Sequence, residues 1–351
     1  MLQRAIATLG EIVRPHVGLS KDRVETLAMI VIGMISIRFW RAVSPLAYLG
    51  ALGLLVLVEV MGTVGMGAQR WIDLGFILLQ PSEVMKIALV MMLAWYYDRL
   101  DPAKVSRPLW VILPLAITLV PVALVLKQPD LGTALLFLPV LFAMLFAAGA
   151  KARHLATVAM LGVLASPLLW MEMSAEQKSR IVSVFTQKTG GEAPRGDGYH
   201  LHQSKTVLAL GGVFGSEMTG MPIRSRRAYH LPESRTDFVF CLVGERWGLL
   251  GCLAVLILYC VLFARGLLIA GETRDPYGRL LAVGIVALIG SQVLINTAMT
   301  VGLLPITGMT LPLMSYGGSS LLTMCLALGL LVNVAMRPMT DAVSEPFQFA
   351  S

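Results

Sequence analysis

Apolar stretches long enough to cross a bilayer, or nearly so by the roughly 20-residue criterion, recur near 24–40, 43–64, 76–97, 109–126, 130–149, 154–170, 237–265, 279–300 and 317–336. The pattern predicts an all-α polytopic membrane protein with about nine transmembrane helices. Runs 24–40 and 154–170 are short and depend on tilt or flanking residues to span. Tight joints are expected around Arg41 and around Gln128-Pro129, and there the residue before each proline should leave the helix. The chain reads as one polytopic membrane domain, 1–351, with an N-terminal segment at 1–23 and a large loop at 171–236.

Basic residues between the runs set the expected orientation, because short cytoplasmic loops retain Lys and Arg. One alternating set holds Arg38 and Arg41, then Arg99, Lys104 and Arg107, then Lys151 and Arg153, then Arg265, Arg274 and Arg279, and finally Arg337. These belong inside. The opposite short loops hold little more than Arg70 and Lys127, and 301–316 has no charge. They belong outside, and so does the 171–236 loop, since long loops escape the charge rule. Nine spans with an inside C-terminus place the N-terminus outside, yet residues 1–23 contain no signal-like apolar core preceded by basic residues. The expectation is that a first span precedes Met1. The other reading lays Ala5–Val17 on the interface as a surface helix.

Composition strengthens the membrane reading. The 351 residues are 56% hydrophobic and only 14% charged, and mean hydropathy is +0.76, whereas charged residues make up about 25% of soluble domains. That excludes a cytosolic enzyme, a disordered chain and a disulfide-stapled secreted module. The net charge of +7 falls in clusters separated by apolar spans, which assigns it to membrane orientation rather than nucleic acid. Cys241, Cys252 and Cys260 share one apolar stretch and Cys325 lies in another, without Cys-x-x-Cys spacing, so they read as small buried side chains.

An ionisable side chain at membrane depth costs at least about 2.5 kcal/mol, so it needs a partner, a water-filled cavity or a function. Glu83 and Lys86 lie at i, i+3 on one helix face in Gln80-Pro81-Ser82-Glu83-Val84-Met85-Lys86. They read either as a neutralised pair that fixes packing or as the charged wall of an interior cavity. Asp130, just after Pro129, reads as a helix N-cap or as cavity lining. Asp73 is placed to pair with Arg70 across a turn.

The densest chemistry lies in the long loop. Gly198-Tyr199-His200-Leu201-His202-Gln203-Ser204-Lys205 precedes a Gly-rich apolar stretch that could be re-entrant or interfacial. Arg224, Arg226 and Arg227 then either screen anionic headgroups or neutralise a pyrophosphate, for which forked donors are suited. Leu231-Pro232-Glu233-Ser234-Arg235-Thr236-Asp237-Phe238 delivers a carboxylate to the mouth of the next helix. Thr236 is expected to cap that helix with Asp237 in its first turn. The same carboxylate is positioned to accept a proton from a sugar hydroxyl. Glu245 and Arg246 further along read as a pair. The final loop, 296–320, breaks helix with glycines and prolines in an uncharged run, which membranes tolerate only where protein or water satisfies the backbone. It should line a cavity.

Six ordered blocks, Gly67–Gly75, Gln80–Lys86, Gln128–Thr133, Tyr199–Lys205, Leu231–Phe240 and Gly302–Ser320, together resemble the SEDS family (shape, elongation, division and sporulation), most closely its rod-shape branch, RodA. The Gln69-Arg70-Trp71 form of the first block looks more like the elongation branch than the division branch. The resemblance implies a peptidoglycan glycosyltransferase that polymerises lipid II outside the bacterial plasma (inner) membrane during cell elongation. Its implied partners are a class B penicillin-binding transpeptidase and the membrane proteins of the elongation complex. Asp237 matches the family's essential aspartate, and Glu83 and Lys86 match its intramembrane pair. Asp237 would deprotonate the acceptor's GlcNAc 4-hydroxyl, which attacks the anomeric carbon of the donor MurNAc while the lipid pyrophosphate leaves. Candidate substrate contacts are Glu83, Lys86, Asp130, Lys205, Arg224, Arg226, Arg227, Glu233, Thr236, Ser315, Tyr316 and Ser319. No cofactor is firmly implied; a divalent cation, Mg or Mn, is the one candidate to help offset the leaving group's charge.

Three departures stand out: family members usually have ten spans, Met218–Tyr229 lacks the usual Gly-Thr-Gln pattern, and Arg246 replaces a common second glutamate. Two readings compete with the enzyme. A transporter of the lipid-linked precursor would also use an intramembrane Glu-Lys pair and a broken helix, and an inactive scaffold would only hold its transpeptidase. Transport should need polar residues through the whole depth, whereas here they cluster toward the outer half, apart from Glu83, Lys86, Glu245 and Arg246.

Overall fold

A computed structural model describes residues 26, 29–65, 68–73, 78–101, 105, 107, 109–187, 197–219 and 236–337. The helices are α1 (Ile37–Met61), α2 (Pro81–Asp98), α3 (Leu109–Lys127), α4 (Leu131–Ala147), α5 (Ala152–Glu172), α6 (Ala175–Phe185), α7 (Asp197–Leu210), α8 (Gly215–Thr219), α9 (Val239–Glu272), α10 (Pro276–Val301) and α11 (Gly318–Ala335). The all-α membrane architecture expected from the apolar runs is present. Among the described residues, α1, α3, α9, α10 and α11 are each long and apolar enough to cross a membrane. Helices α2, α4 and α5 occupy three further apolar runs, and the first run is helical at 29–34.

Three expectations need correction. The first joint lies at Ile35–Ser36, not around Arg41, because Ser36 caps α1 by accepting the Phe39 N–H at 3.3 Å. Ser44, the residue before Pro45, also stays helical, and its Oγ donates to the Trp40 carbonyl at 2.7 Å. Arg41 is tolerated inside α1 because its guanidinium reaches two carboxylates, Asp98 at 3.3 Å and Asp275. The second joint falls where expected, between Lys127 and Leu131. Finally, the block around Arg70 forms a small antiparallel sheet in the order β1 (Thr63–Gly65), β2 (Ala68–Asp73), β3 (Leu78–Leu79). Thr63 pairs with Trp71 and Ile72 with Leu79.

The described residues fall into two compact units. One comprises the described residues of Glu172–Leu262 and Gln292–Gly317; the other those of Gly18–Met171, Phe263–Ser291 and Gly318–Ser351. In the second unit α2 is central, packing against α1, α3, α4 and α11. A helix buried on nearly all sides should be apolar on all sides, and Met85, Leu89, Leu93 and Tyr97 are enclosed accordingly. Its charged pair is therefore held inside protein.

In the first unit α9 is broken at Gly248, whose φ of 64° and ψ of −159° leave the helical region. The N–H groups of Leu249 and Leu250 donate instead to the carbonyls of Gly212 (2.9 Å) and Val213 (3.3 Å) in the turn between α7 and α8. A Cβ at Gly248 would stand 2.4 Å from the Val213 oxygen, so only glycine permits this approach. The Gly-rich stretch after Lys205 is thus a helical hairpin whose turn completes a broken helix.

Candidate active site

Asp237 stands in a turn at 236–238, immediately before α9. The helix begins later than the sequence suggested: its first residue is Val239, so Asp237 is outside its first turn, and the N–H groups of Cys241 and Leu242 close on the Phe238 carbonyl. The buried Phe238 ring packs with Val207 and Cys241, and Ile306 lies against the cluster, which fixes where the chain enters the helix. Asp237 is half-buried. Its main-chain carbonyl accepts from Asn296 Nδ2 at 2.8 Å. A Cβ added at Gly308, where φ is +70°, would lie 3.5 Å from Asp237 Oδ2, so loop 302–317 runs beside the carboxylate.

Lys205 is half-buried on α7, two residues from Val207. Its Nζ donates to Gln187 Oε1 at 2.5 Å, and Gln187 Nε2 donates to the carbonyls of Gly302 (2.8 Å) and Val184 (2.7 Å). Ser204 Oγ reaches the Thr300 carbonyl at 3.1 Å. Together these bonds knit the end of α6, the middle of α7 and the start of the loop that also passes Asp237. Ser315 is buried and accepts the Leu311 N–H at 2.7 Å, so the structure gives it a turn-forming role, while Tyr316 is 55% exposed. Glu245 is buried, but its partner is Ser216 Oγ at 2.7 Å; Arg246 is exposed, as neighbours at i, i+1 do not share a helix face.

A second polar cluster occupies the other unit. Lys86 Nζ donates to Glu83 Oε1 at 2.7 Å, with the two residues only 2% and 6% exposed, and Glu83 Oε2 has no hydrogen-bond partner. Asp130 takes the capping role. Its Oδ1 caps α4 through the Thr133 N–H at 3.1 Å, while Oδ2 accepts from Gln80 Nε2 and Ser82 Oγ, each at 3.3 Å. The Gln80 N–H donates to Ser319 Oγ at 3.3 Å. Arg70 turns to the main chain. It donates to the carbonyls of Gln128 (2.7 Å) and Pro129 (2.5 Å), closing the α3–α4 joint.

The structure therefore brings Glu83, Lys86, Asp130 and Ser319 together in one unit, and Thr236, Asp237, Lys205 and Ser315 in the other. Arg224, Arg226, Arg227 and Glu233 lie outside the described residues. Sequence reasoning passed over the carboxamides Gln80, Gln187, Gln292 and Asn296. Their signal was present: an uncharged amide inside or beside an apolar run must find a partner there. Among the described residues no three His, Cys, Asp or Glu side chains converge to hold a metal ion.

A family model described as "Cell cycle protein", spanning FtsW, RodA and SpoVE, matches residues 23–339. A probable peptidoglycan glycosyltransferase FtsW of Geobacter metallireducens is 38% identical over 319 residues, covering 88% of this chain and 81% of its own length. Stage V sporulation protein E of Bacillus subtilis is 36% identical over 312 residues (88% and 83%), and peptidoglycan glycosyltransferase MrdB of Escherichia coli 34% over 308 (87% and 81%). RodA of Thermus thermophilus superposes with a TM-score of 0.69 at 29% identity, covering 97% of this chain and 96% of its own. A chain from a peptidoglycan synthase complex that coordinates polymerization and crosslinking gives 0.81 at 30%, covering 97% of each. Division and sporulation relatives match about as well as rod-shape ones, so identity alone does not separate the branches. This chain belongs to the FtsW/RodA/SpoVE family of cell cycle proteins, as its six motif blocks suggested.

Proposed function

We propose that this multi-pass membrane protein is a peptidoglycan glycosyltransferase that polymerises lipid II into glycan strands during cell elongation, with Asp237 as its general base. The observation that carries the assignment of the base is a half-buried carboxylate at the head of an apolar helix, with its main chain fixed by a buried amide and a glycine backbone beside Oδ2. The acceptor 4-hydroxyl forms the new bond from its oxygen to the donor's anomeric carbon. Its proton passes to Asp237, and the bond to the polyprenyl pyrophosphate breaks. As general base the carboxylate takes up that proton while the new bond forms. Lys205 and the loop arginines supply positive charge toward the departing pyrophosphate. The relatives named peptidoglycan glycosyltransferase support this over transport.

The charge distribution sets the reaction on the extracytoplasmic face of a bacterial plasma membrane. The similarity to a synthase-complex chain supports a penicillin-binding partner, here a class B transpeptidase working beside other elongation proteins. Purified full-length protein with that partner should convert lipid II to glycan strands resolved on a gel. Vesicles that translocate labelled lipid II without forming polymer would decide for transport instead.

A further inference from the structure

We infer that Asn296 is a positioning residue that aims the Asp237 carboxylate; this deepens, and rests on, the reading of Asp237 as the base. Asn296 is fully buried on α10. Its Nδ2 donates to two main-chain carbonyls, Asp237 at 2.8 Å and Met309 at 2.6 Å. Two acceptors facing one atom fix which end of the amide is nitrogen, and both amide hydrogens are consumed. Oδ1 is left buried without a hydrogen-bond partner. An orphaned buried acceptor is destabilising, so the side chain that keeps two donors at this point does so against a cost.

What those donors join is specific. One holds the peptide of Asp237, and the other holds Met309, next to Gly308, whose backbone passes the carboxylate. One amide therefore sets both where the carboxylate stands and how closely the loop approaches it. Gln292, one turn earlier on α10, provides the internal contrast. Its Nε2 donates to the Thr310 carbonyl at 2.9 Å and to Thr310 Oγ1 at 3.3 Å, tethering the same loop two residues beyond Gly308. Losing the Asn296 amide frees the Asp237 peptide to rotate, and a misplacement of about 1 Å in a reacting group can cost on the order of 10²-fold in rate.

The test uses full-length protein with its transpeptidase partner and lipid II. Asn296→Ala should lower kcat on the order of 10²-fold with KM nearly unchanged. Gln292→Ala should lower the melting midpoint by a similar amount yet keep kcat within assay error. Asn296→Asp replaces the donor nitrogen with an oxygen at nearly constant volume, and its kcat should fall as that of Asn296→Ala does. Equal kcat losses in Asn296→Ala and Gln292→Ala, tracking stability, would overturn the inference. So would full kcat in Asn296→Ala beside an inactive Asp237→Ala. Should Asn296→Ala fail to fold, Asn296→Asp decides, and full kcat in that variant overturns the inference. Polymer formation by Asp237→Ala would instead remove the base and leave the amide's hydrogen bonds as packing.

Discussion

The two polar clusters solve opposite problems. Around Glu83 and Lys86 the charges are sealed inside a packed unit, each contacting the other at 2.7 Å, with Asp130 tied to Gln80 and Ser82 nearby. Around Asp237 the carboxylate is half-buried and the rigid element is its main chain, fixed through Asn296 and the neighbouring Phe238 ring. A sealed ion pair mainly sets geometry, because desolvation offsets most of its Coulomb gain. A half-buried carboxylate on a fixed backbone is suited to proton transfer instead. Stability is therefore expected to reside in the first cluster and chemistry in the second.

The largest effect should separate them at once. Asp237→Ala should lower glycan polymerisation by about 10²–10⁴-fold, the usual contribution of a general base, with no change in melting midpoint. Polymer at the normal rate would end the assignment. Next, Lys86→Met should strand a buried carboxylate and destabilise by about 3–5 kcal/mol in a denaturation assay, whereas the double change Glu83→Gln with Lys86→Met should recover most of that loss. A double variant that is stable but inactive would move the pair from scaffold to chemistry. Smaller still, Asp130→Ala removes the α4 cap and should cost about 1–2 kcal/mol. At the small end, Arg180→Ala breaks the solvent-facing pair with Glu176, 2.5 Å apart, and should change stability by about 0.5 kcal/mol or less. A larger change there would show that α6 matters beyond its surface.

Legibility in the sequence followed locality. The Glu83–Lys86 pair could be foreseen because three residues of helix suffice to bring them together. Asp237 could be foreseen because a carboxylate before an apolar run is visible without a partner. The acceptors of Arg70 were not foreseen, because they are carbonyls freed at the α3–α4 joint, remote in the sequence. The joint near Arg41 was misplaced for a related reason: Asp98 and Asp275, remote in sequence, make a charge acceptable within α1. Asn296 escaped notice because an amide carries no charge to raise suspicion and its two acceptors belong to the backbone.

The sequence by itself determined that this protein lives in a membrane as a bundle of helices, since lipid demands long apolar runs with internally satisfied backbone. It also marked where its acids and bases stand along those runs. Only the tertiary structure decided which of them are enclosed and which stay open, that α9 breaks at Gly248 to bond the α7–α8 turn, and that a neutral amide holds Asp237. Those outcomes depend on backbone donors and acceptors meeting across elements distant in the chain, and every residue carries the same backbone.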